Sequence, residues 1–388
     1  MRGTLGAAAI YDLANKGGQT VNKAWCVPVF SAIYLLSFAA TVVHAQSLPS
    51  HCDPSNFSDC LNGVSSSVTN GASLRIGGST YTDIARKRAK EDRDKVAEAL
   101  IGQETGIAAG DLAGGWGLWL SYARSDFDSD FVFANTSLAY EADSDIVLAG
   151  VDRLFADRFL LGLSVGYNDI ETSTAFNGGG QEADGYTIAP YGAWLINDIF
   201  SIDVTGGFTP LDYDQNRISP TDGTQTQASF DADRWFVATN LNALWISGSW
   251  VLGGRVGYLH TEEDQDGYTE TGSAASAAGG TLRTVRDREI DLSQVVVGGD
   301  IAYNFGSFEP YALLIYRNDI SRDNGERAGG LPVAFTSVQA DDDDEFQAGF
   351  GLRWFSDFGL TGTLEWYLIE GRENFDSHTV ALTLRGEL

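Results

Sequence analysis

The motif in this chain that most resembles a catalytic site surrounds Ser164. Gly162-Leu163-Ser164-Val165-Gly166 matches the G-x-S-x-G pattern of a nucleophilic serine. That nucleophile needs a sharp turn from strand into helix directly after the serine, whereas the alternating pattern here continues into Tyr167 and Asn168. We therefore interpret Ser164 as a small side chain facing a crowded interior and predict no catalytic role for it.

The histidines are not spaced in the sequence like the residues of a catalytic or metal-binding site. Three of them, His51, His260 and His378, lie beyond the first 45 residues and show no ligand spacing. The sequence therefore predicts no enzymatic activity, no metal centre and no cofactor.

Carboxylates form two clusters near the ends of predicted loops. One comprises Asp341 to Asp344 with Glu345, and the other comprises Glu262, Glu263, Asp264 and Asp266. Carboxylate oxygens suit Ca²⁺ or Mg²⁺, and such ions could bridge the clusters to the phosphates of surface lipids. The alternative is that both clusters are simply solvated, and the sequence leaves both interpretations open.

The first 45 residues have the pattern of an export signal. Arg2, Lys16 and Lys23 are their only Lys or Arg residues, and an uncharged apolar run from Pro28 to Val43 precedes a small-x-small cleavage pattern ending at Ala45. A membrane anchor is the less favoured alternative, because the run is short and its flanks differ. We predict a signal peptide over residues 1–45, export from the cytoplasm and a mature chain that begins near Gln46.

The mature chain is strongly acidic. The net charge of −28 becomes −30 on cleavage, because the signal carries three basic side chains and one acidic side chain. This excludes nucleic acid as a partner, since such a protein would have to neutralise many phosphates. Of the three cysteines, Cys26 leaves with the signal, and we expect Cys52 and Cys60 to form a disulfide in the exported chain.

Two segments precede the region of strands. Residues 46–79 are rich in Ser, Asn, Gly and Asp and predict a short flexible segment. Residues 80–103 predict a linker helix that is polar all round, with Arg86, Lys90 and Arg93 among its basic residues; its main part, about residues 80–100, is about 30 Å long at about 1.5 Å per residue. A solvated linker and a helix enclosed by the protein both remain possible interpretations.

From Trp116 to Leu388 the apolar residues recur with a period of two, which indicates strands. The final hairpin shows this most clearly, with one strand from Phe358 to Leu368 and a second from Val380 to the terminal Leu388. About twelve strands can be counted, and an even number is typical of bacterial single-chain barrels.

The connections between these strands alternate in length. The tight turns always follow an even-numbered strand, at 156–157, 197–198, 248–249, 306–307 and 356–357. Long polar connections follow odd strands, as at 171–182, 214–230, 263–288 and 321–344. This asymmetry predicts an antiparallel transmembrane β-barrel rather than a soluble sandwich, with both chain ends on the short-turn side.

The period also predicts which side chains face the interior. Charged residues in the small-residue register should line a polar pore, and they are Asp203, Arg255, Asp300, Arg353, Glu365 and Arg385. Apolar residues of the other register should face lipid, and they are Leu161, Val165, Val204, Trp245, Val297, Leu352 and Trp366. For the strands near Asp145 and Phe308 the pattern does not decide the register.

Several short segments, taken in order, resemble the translocator barrel of autotransporters, the type V secretion proteins. They include Gly115-Trp116-Gly117-Leu118-Trp119, Leu161-Gly162-Leu163-Ser164-Val165-Gly166-Tyr167 and Ile188-Ala189-Pro190-Tyr191-Gly192-Ala193-Trp194. The resemblance implies a twelve-stranded outer-membrane pore over residues 116–388 with the helix of residues 80–103 as a plug in its lumen. It also implies that the last strand, with Leu384 and Leu388, signals to the barrel-assembly machinery, although the family usually ends on an aromatic residue.

The resemblance implies a translocator or surface-display anchor for the very short segment of residues 46–79. Residues 46–78 are far shorter than the β-helical passenger of most relatives, and the predicted helix lacks the Asn-Asn cleavage pair of some of them. Two alternatives remain open: a diffusion pore with the helix as plug, and an adhesin acting through long acidic loops. We expect a monomer in contact with outer-membrane lipid and lipopolysaccharide.

Overall fold

The structure, a computed structural model, describes residues 116–387 apart from 131, 134–135, 157, 176, 219–222, 224, 273–283, 324–342, 357–358 and 373. The predicted signal peptide, the flexible segment and the predicted helix of residues 80–103 lie outside the described residues, as does Leu388. The described residues contain no helix long and apolar enough to cross a bilayer.

Twelve long antiparallel strands form the wall. They are β1 Trp116–Ser129, β2 Tyr140–Phe155, β3 Phe159–Thr174, β4 Gly179–Leu195, β5 Phe200–Ile218, β6 Gln225–Ser247, β7 Trp250–Gln265, β8 Arg288–Tyr303, β9 Phe308–Asp323, β10 Asp344–Phe355, β11 Leu360–Arg372 and β12 Phe375–Glu387. Five two-residue strands lie at the long-connection side: Val132–Phe133, Thr136–Ser137, Tyr268–Thr269, Thr271–Gly272 and Thr284–Val285.

Each long strand pairs with its neighbour in sequence, and the last pairs with the first. The closing pair runs from Gly117 opposite Glu387, through Leu120 opposite Leu384, to Asp128 opposite Asp376. Closure satisfies the backbone of every strand edge, which a sheet in lipid requires. The predicted twelve-stranded barrel is confirmed, together with the pairing of its terminal strand with β1.

The strands extend well into the predicted polar loops. Residues 171–182 are mostly wall, since β3 ends at Thr174 and β4 begins at Gly179. The connection predicted over 214–230 is likewise shorter, because β5 reaches Ile218 and β6 begins at Gln225. Most side chains in these stretches are polar on both faces, so the alternation of apolar and polar residues is not visible in the sequence. The ladder of backbone hydrogen bonds nevertheless continues through them.

The outward face carries the exposed apolar residues. Leu161, Val165, Val204, Trp245, Val297 and Leu352 are all exposed, as the sequence predicted, and Trp366 is half-buried. An exposed apolar surface that surrounds the whole barrel would be insoluble in water and suits a hydrocarbon environment.

Aromatic residues flank this apolar band on both sides. At the short-turn end the rings of Phe159 and Trp194 stack with centroids 6.2 Å apart, and the Arg153 guanidinium lies 5.4 Å from the Trp116 ring. At the other end tyrosine hydroxyls meet carboxylates: Tyr122 Oη donates to Asp145 Oδ1 at 2.5 Å. Aromatic girdles at the two interfaces are typical of outer-membrane barrels.

Candidate functional site in the barrel interior

The inward-facing residues divide the interior into two parts of different chemistry. On β5 to β11 they include most of the charged side chains, and we call this part the charged wall. On β12 and β1 to β4 the described inward residues are small, hydroxylated, apolar or, at Asn168 and Gln181, amides, apart from Asp152 and Arg385 near the short turns. We call this part the uncharged wall.

Among the predicted pore-lining residues, Asp203 is buried on β5 with two amide donors. Asn240 Nδ2 donates to its Oδ1 at 2.7 Å, and Asn242 Nδ2 donates to its Oδ2 at 2.5 Å. Arg255 and Asp300 take the inward register of β7 and β8 and are half-buried. The inward register of these three residues is the one that the alternating pattern predicts.

Arg353 and Glu365 belong to a compact cluster on β9 to β11. Arg353 forms an ion pair with Glu309, and its guanidinium lies 4.3 Å from the Tyr311 ring centroid. The Tyr311 hydroxyl donates to Glu365. Glu309 and Tyr311 belong to the strand whose register the sequence left undecided, and the structure turns both inward.

Arg385 reaches across the barrel seam to Asp152, skipping β1. Its Nη1 and Nη2 lie 3.0 Å from the two Asp152 oxygens, and Tyr191 Oη donates to Asp152 Oδ2 at 2.8 Å. The ion pair passes over Gly117, where an added Cβ would lie 2.3 Å from the guanidinium and 2.4 Å from the carboxylate. A glycine is therefore needed at this position on β1.

The inward position of Asp152 was not predicted from the sequence, because the middle of β2 is apolar on both faces. Ile146 and Leu148 face inward, while Val147 and Ala149 face outward, so the alternation gives no polar side to choose. Inside, Ile146 and Leu148 pack with Trp119 in an apolar cluster that lies mostly on the uncharged wall and also includes Phe236 of β6.

A second tier of ion pairs lies nearer the long connections and was also missed. Arg234 Nη2 lies 2.6 Å from Glu263 Oε2, and both side chains are at most 2% exposed. Tyr213 Oη and Gln265 Nε2 donate to Glu263 Oε1 at 2.7 and 2.5 Å. Arg288 then donates to Gln265 through Nε at 3.0 Å. Four strands, β5 to β8, are thus joined by one buried network.

A matching network joins β8 to β11. Arg372 lies 3.2 Å from Glu345 and 3.1 Å from Asp319, and Arg317 lies 3.6 Å from Glu345. Gln294 Nε2 donates to Asp319 Oδ1 at 2.8 Å.

Glu263 and Glu345 therefore have arginine partners inside the wall, whereas the sequence placed both of them in acidic loop clusters. A continued period of two across the polar stretches was the available signal. The cation-binding alternative for the remaining clusters stays a prediction, with Asp341 and Asp342 outside the described residues.

Ser164 faces the interior, where its Oγ donates to the backbone carbonyl of Ala189 at 3.0 Å. His260 contacts Ser293 on the outer half of its strand, and His378 lies 3.0 Å from Asp126 on the exposed face. Neither of these two histidines, both in the described part of the chain, is a hydrogen-bond partner of the Ser164 hydroxyl.

Beyond the apolar band the outer face of the wall is acidic. Asp169, Glu171 and Glu182 have carboxylate oxygens within 4.8 Å of one another. Burial raises the pKa of Asp169 above its ordinary value, and the nearby Glu171, Asp184 and Asp145 raise it further. Burial likewise raises the pKa of Glu182, with Asp169 as the next contributor. Like charges on neighbouring strands repel here, so this stretch of wall is electrostatically strained.

Of the remaining predicted residues, Leu384 is half-buried on β12 opposite Leu120 and Gly362. Leu388 and the basic residues Arg86, Lys90 and Arg93 lie outside the described residues. Their predicted roles in assembly and in plugging the pore stay predictions.

A closed wall of twelve antiparallel strands, apolar outside and crossed by ion pairs inside, defines an outer-membrane type of β-barrel. The chain belongs to the autotransporter beta-domain family, whose sequence model matches residues 118–366. Membership in this family of secretion barrels implies an outer-membrane location.

Two solved structures share the fold. The translocator domain of autotransporter NalP from Neisseria meningitidis has a TM-score of 0.60 at 11% identity, over 79% of this chain and 96% of that one. The beta domain of the Bordetella autotransporter BrkA has a TM-score of 0.54 at 14% identity, over 71% of this chain and 100% of that one. No curated protein sequence matches this chain.

Proposed function

We propose that this protein is an outer-membrane translocator that anchors its own short N-terminal segment, residues 46–79, at the cell surface. In this proposal residues 80–103 form a helix that passes through the barrel and connects the segment to β1. The observation that carries the proposal is the closed barrel of an autotransporter beta-domain, whose first strand begins on the short-turn side.

The dimensions of the barrel support a helix in the interior. Barrels of eight strands fill their own lumen and those of sixteen enclose a water channel, so twelve strands leave a bore close to the width of one helix. The interior also offers carboxylates on β5, β8 and β11, at Asp203, Asp300 and Glu365, to basic residues of the segment.

An epitope inserted at Ser65 tests surface display. Intact cells should bind the antibody, with a second tag in the connection of residues 273–283 as the positive control. A tag in the tight turn at Gly248 should stay inaccessible until the outer membrane is opened. If the Ser65 tag behaves like the Gly248 tag, the segment remains in the periplasm and surface display is ruled out.

A diffusion pore is the second candidate, because ion pairs line the interior on both tiers. Single-channel conductance of the mature chain should rise when residues 46–103 are deleted, since the deletion removes the proposed plug. An unchanged conductance would show that these residues do not occupy the pore.

We also propose that the last strand carries the assembly signal, with the barrel-assembly machinery as partner and lipopolysaccharide around a monomeric barrel. Leu388→Asp should reduce the amount of inserted barrel in cells, because it places a charge at the apolar end of the signal. Thr383→Asp is not a suitable control, since it faces inward, whereas Glu387→Asp keeps the charge and should assemble normally. Normal insertion of Leu388→Asp would refute this role.

A further inference from the structure

Three polar side chains of the uncharged wall are buried without hydrogen bonds in the described structure: Asn168, Ser144 and, on β12, Ser377, which is 5% exposed. Asn168 on β3 is 0% exposed, and neither its Nδ2 nor its Oδ1 has a partner. Ser144 on the neighbouring β2 is 1% exposed, and its Oγ also has none. A buried polar group left unsatisfied costs about 1–3 kcal/mol, so each such group calls for a hydrogen-bonding partner.

The surroundings limit what this partner can be. Ala123, Ile146 and Leu148 pack nearby in the apolar cluster, and Ser121 and Ser125 already bond to Thr383 and Thr379 at 2.8 Å. The described inward residues between these positions include no charged side chain. A partner must therefore present a largely uncharged surface, with polar groups only where it meets the unsatisfied side chains.

The segment of residues 80–103 offers such a surface if it is helical as predicted. Its uncharged residues at helical spacing form one stripe: Thr82, Ala85, Ala89, Val96, Leu100 and Gln103. Asp92 and Arg93 interrupt the stripe once, between Ala89 and Val96. The opposite face carries mostly charged residues, such as Lys87, Glu91 and Glu98, with Ile84 as an apolar exception.

The chain length allows this segment to reach the wall. A helix over residues 80–103 is about 36 Å long, which is comparable with the height of the barrel. Residues 104–115 then connect it to β1, which is itself part of the uncharged wall. An extended stretch of that length spans up to about 40 Å.

We propose that the uncharged wall is the docking surface for this stripe, and that the opposite, charged face of the helix meets the charged wall. Asn168 then hydrogen-bonds with the polar interruption at Asp92 and Arg93, because its amide can donate to a carboxylate and accept from a guanidinium. This inference rests on the proposed function, since it requires the segment to lie in the lumen. Beyond the proposed function, it specifies which face of the segment points to which wall of the barrel.

Cysteine cross-linking in the full mature chain tests the orientation, with Cys52→Ser and Cys60→Ser as the background. One cysteine replaces Asn168 in the uncharged wall or its matched control Gln347, an inward amide on β10 that is also 0% exposed. The second replaces Ala89 in the stripe or Glu91, which points to the opposite side at nearly the same depth. Assembly is checked by the heat-dependent gel mobility of the barrel.

A short bismaleimide should join Asn168→Cys to Ala89→Cys, and Gln347→Cys to Glu91→Cys. The exchanged pairs are Asn168→Cys with Glu91→Cys, and Gln347→Cys with Ala89→Cys. Their cross-linking yields should be about tenfold lower, because opposite faces of one helix point to opposite walls. Equal yields, or a reversed preference, overturn the docking while leaving the segment in the lumen. If all four pairs fail to cross-link in assembled barrels, the segment does not lie in the lumen. That result would also overturn the part of the proposed function in which residues 80–103 pass through the barrel.

Ser144→Cys and Gln294→Cys provide the second set of wall positions if Asn168→Cys or Gln347→Cys does not assemble. Gln294 is inward and 0% exposed on β8, so the comparison between the two walls is retained. The same preference for Ala89→Cys over Glu91→Cys is expected at Ser144→Cys, and its reversal there overturns the inference.

Discussion

The two walls of the interior are held together by different interactions. The charged wall is crossed by buried networks such as Arg234–Glu263 and Arg372–Glu345, which join strands through ionised groups. The uncharged wall is joined by hydroxyl pairs such as Ser121–Thr383 and by apolar packing around Trp119. Removing one partner of a buried ion pair leaves an unpaired charge and costs much stability, whereas removing one hydroxyl or methyl group costs less. The two walls should therefore differ in how much a substitution lowers the stability of the barrel.

The difference also indicates what each wall can accommodate. A wall whose charges are already paired can face other charged groups without large rearrangement. The uncharged wall suits a surface that is largely uncharged and whose few charged groups find hydrogen-bond partners. An interior with one wall of each kind is therefore suited to an object that has two different faces.

The largest effect is expected on the charged wall. Glu263→Leu should destabilise the barrel by about 3–5 kcal/mol, because it removes the carboxylate that Arg234 and Tyr213 share inside the wall. The urea midpoint of the folded barrel, followed by tryptophan fluorescence, measures this. The double variant Glu263→Leu with Arg234→Met should recover most of the loss, and a double variant as unstable as the single one would contradict the ion-pair account.

A smaller effect is expected at the seam between β12 and β1, where the uncharged wall holds the ion pair of Arg385 with Asp152. Gly117→Ala places a Cβ 2.3 Å from the Arg385 guanidinium and should cost about 1–3 kcal/mol by pushing Arg385 away from Asp152. Gly254→Ala is the matched control, because an added Cβ there meets nothing within 4 Å. Equal urea midpoints for the two variants would show that the ion pair does not need the glycine.

On the uncharged wall the expected loss is smaller again. Ser121→Ala removes the 2.8 Å hydroxyl contact with Thr383 across the closing strand pair and should cost about 1 kcal/mol. The same unfolding measurement applies. A loss as large as that of Glu263→Leu would remove the distinction between the walls.

The smallest effect, and one of opposite sign, is expected on the acidic outer face. The pKa of Asp169 is raised in the folded barrel, so its ionised form is disfavoured by folding at neutral pH. Asp169→Asn should therefore stabilise the barrel by less than about 1 kcal/mol at neutral pH. The gain should disappear as the pH falls through the raised pKa and the wild-type carboxyl becomes protonated. A gain that persists in acid would point to packing rather than charge.

Much of the fold could be predicted from local pattern. The period of two showed strands, the alternation of short and long connections showed the up-and-down order, and the registers of Asp203, Arg255 and Arg385 followed directly. The register of β2 could not be predicted, because Ile146 and Leu148 face inward and its outer face is apolar too. The second tier around Glu263 and Glu345 was missed because polar residues on both faces hide the alternation.

The sequence by itself determined the number of strands, their antiparallel order and the apolar outer face, since each of these is a repeat along the chain. Only the tertiary structure decided that Arg385 meets Asp152, 233 positions away, and that the charges gather on one side of the lumen. Such pairs depend on where the sheet closes and on how far each strand is staggered against the next. Closure and stagger are properties of the whole barrel, so no single strand encodes them.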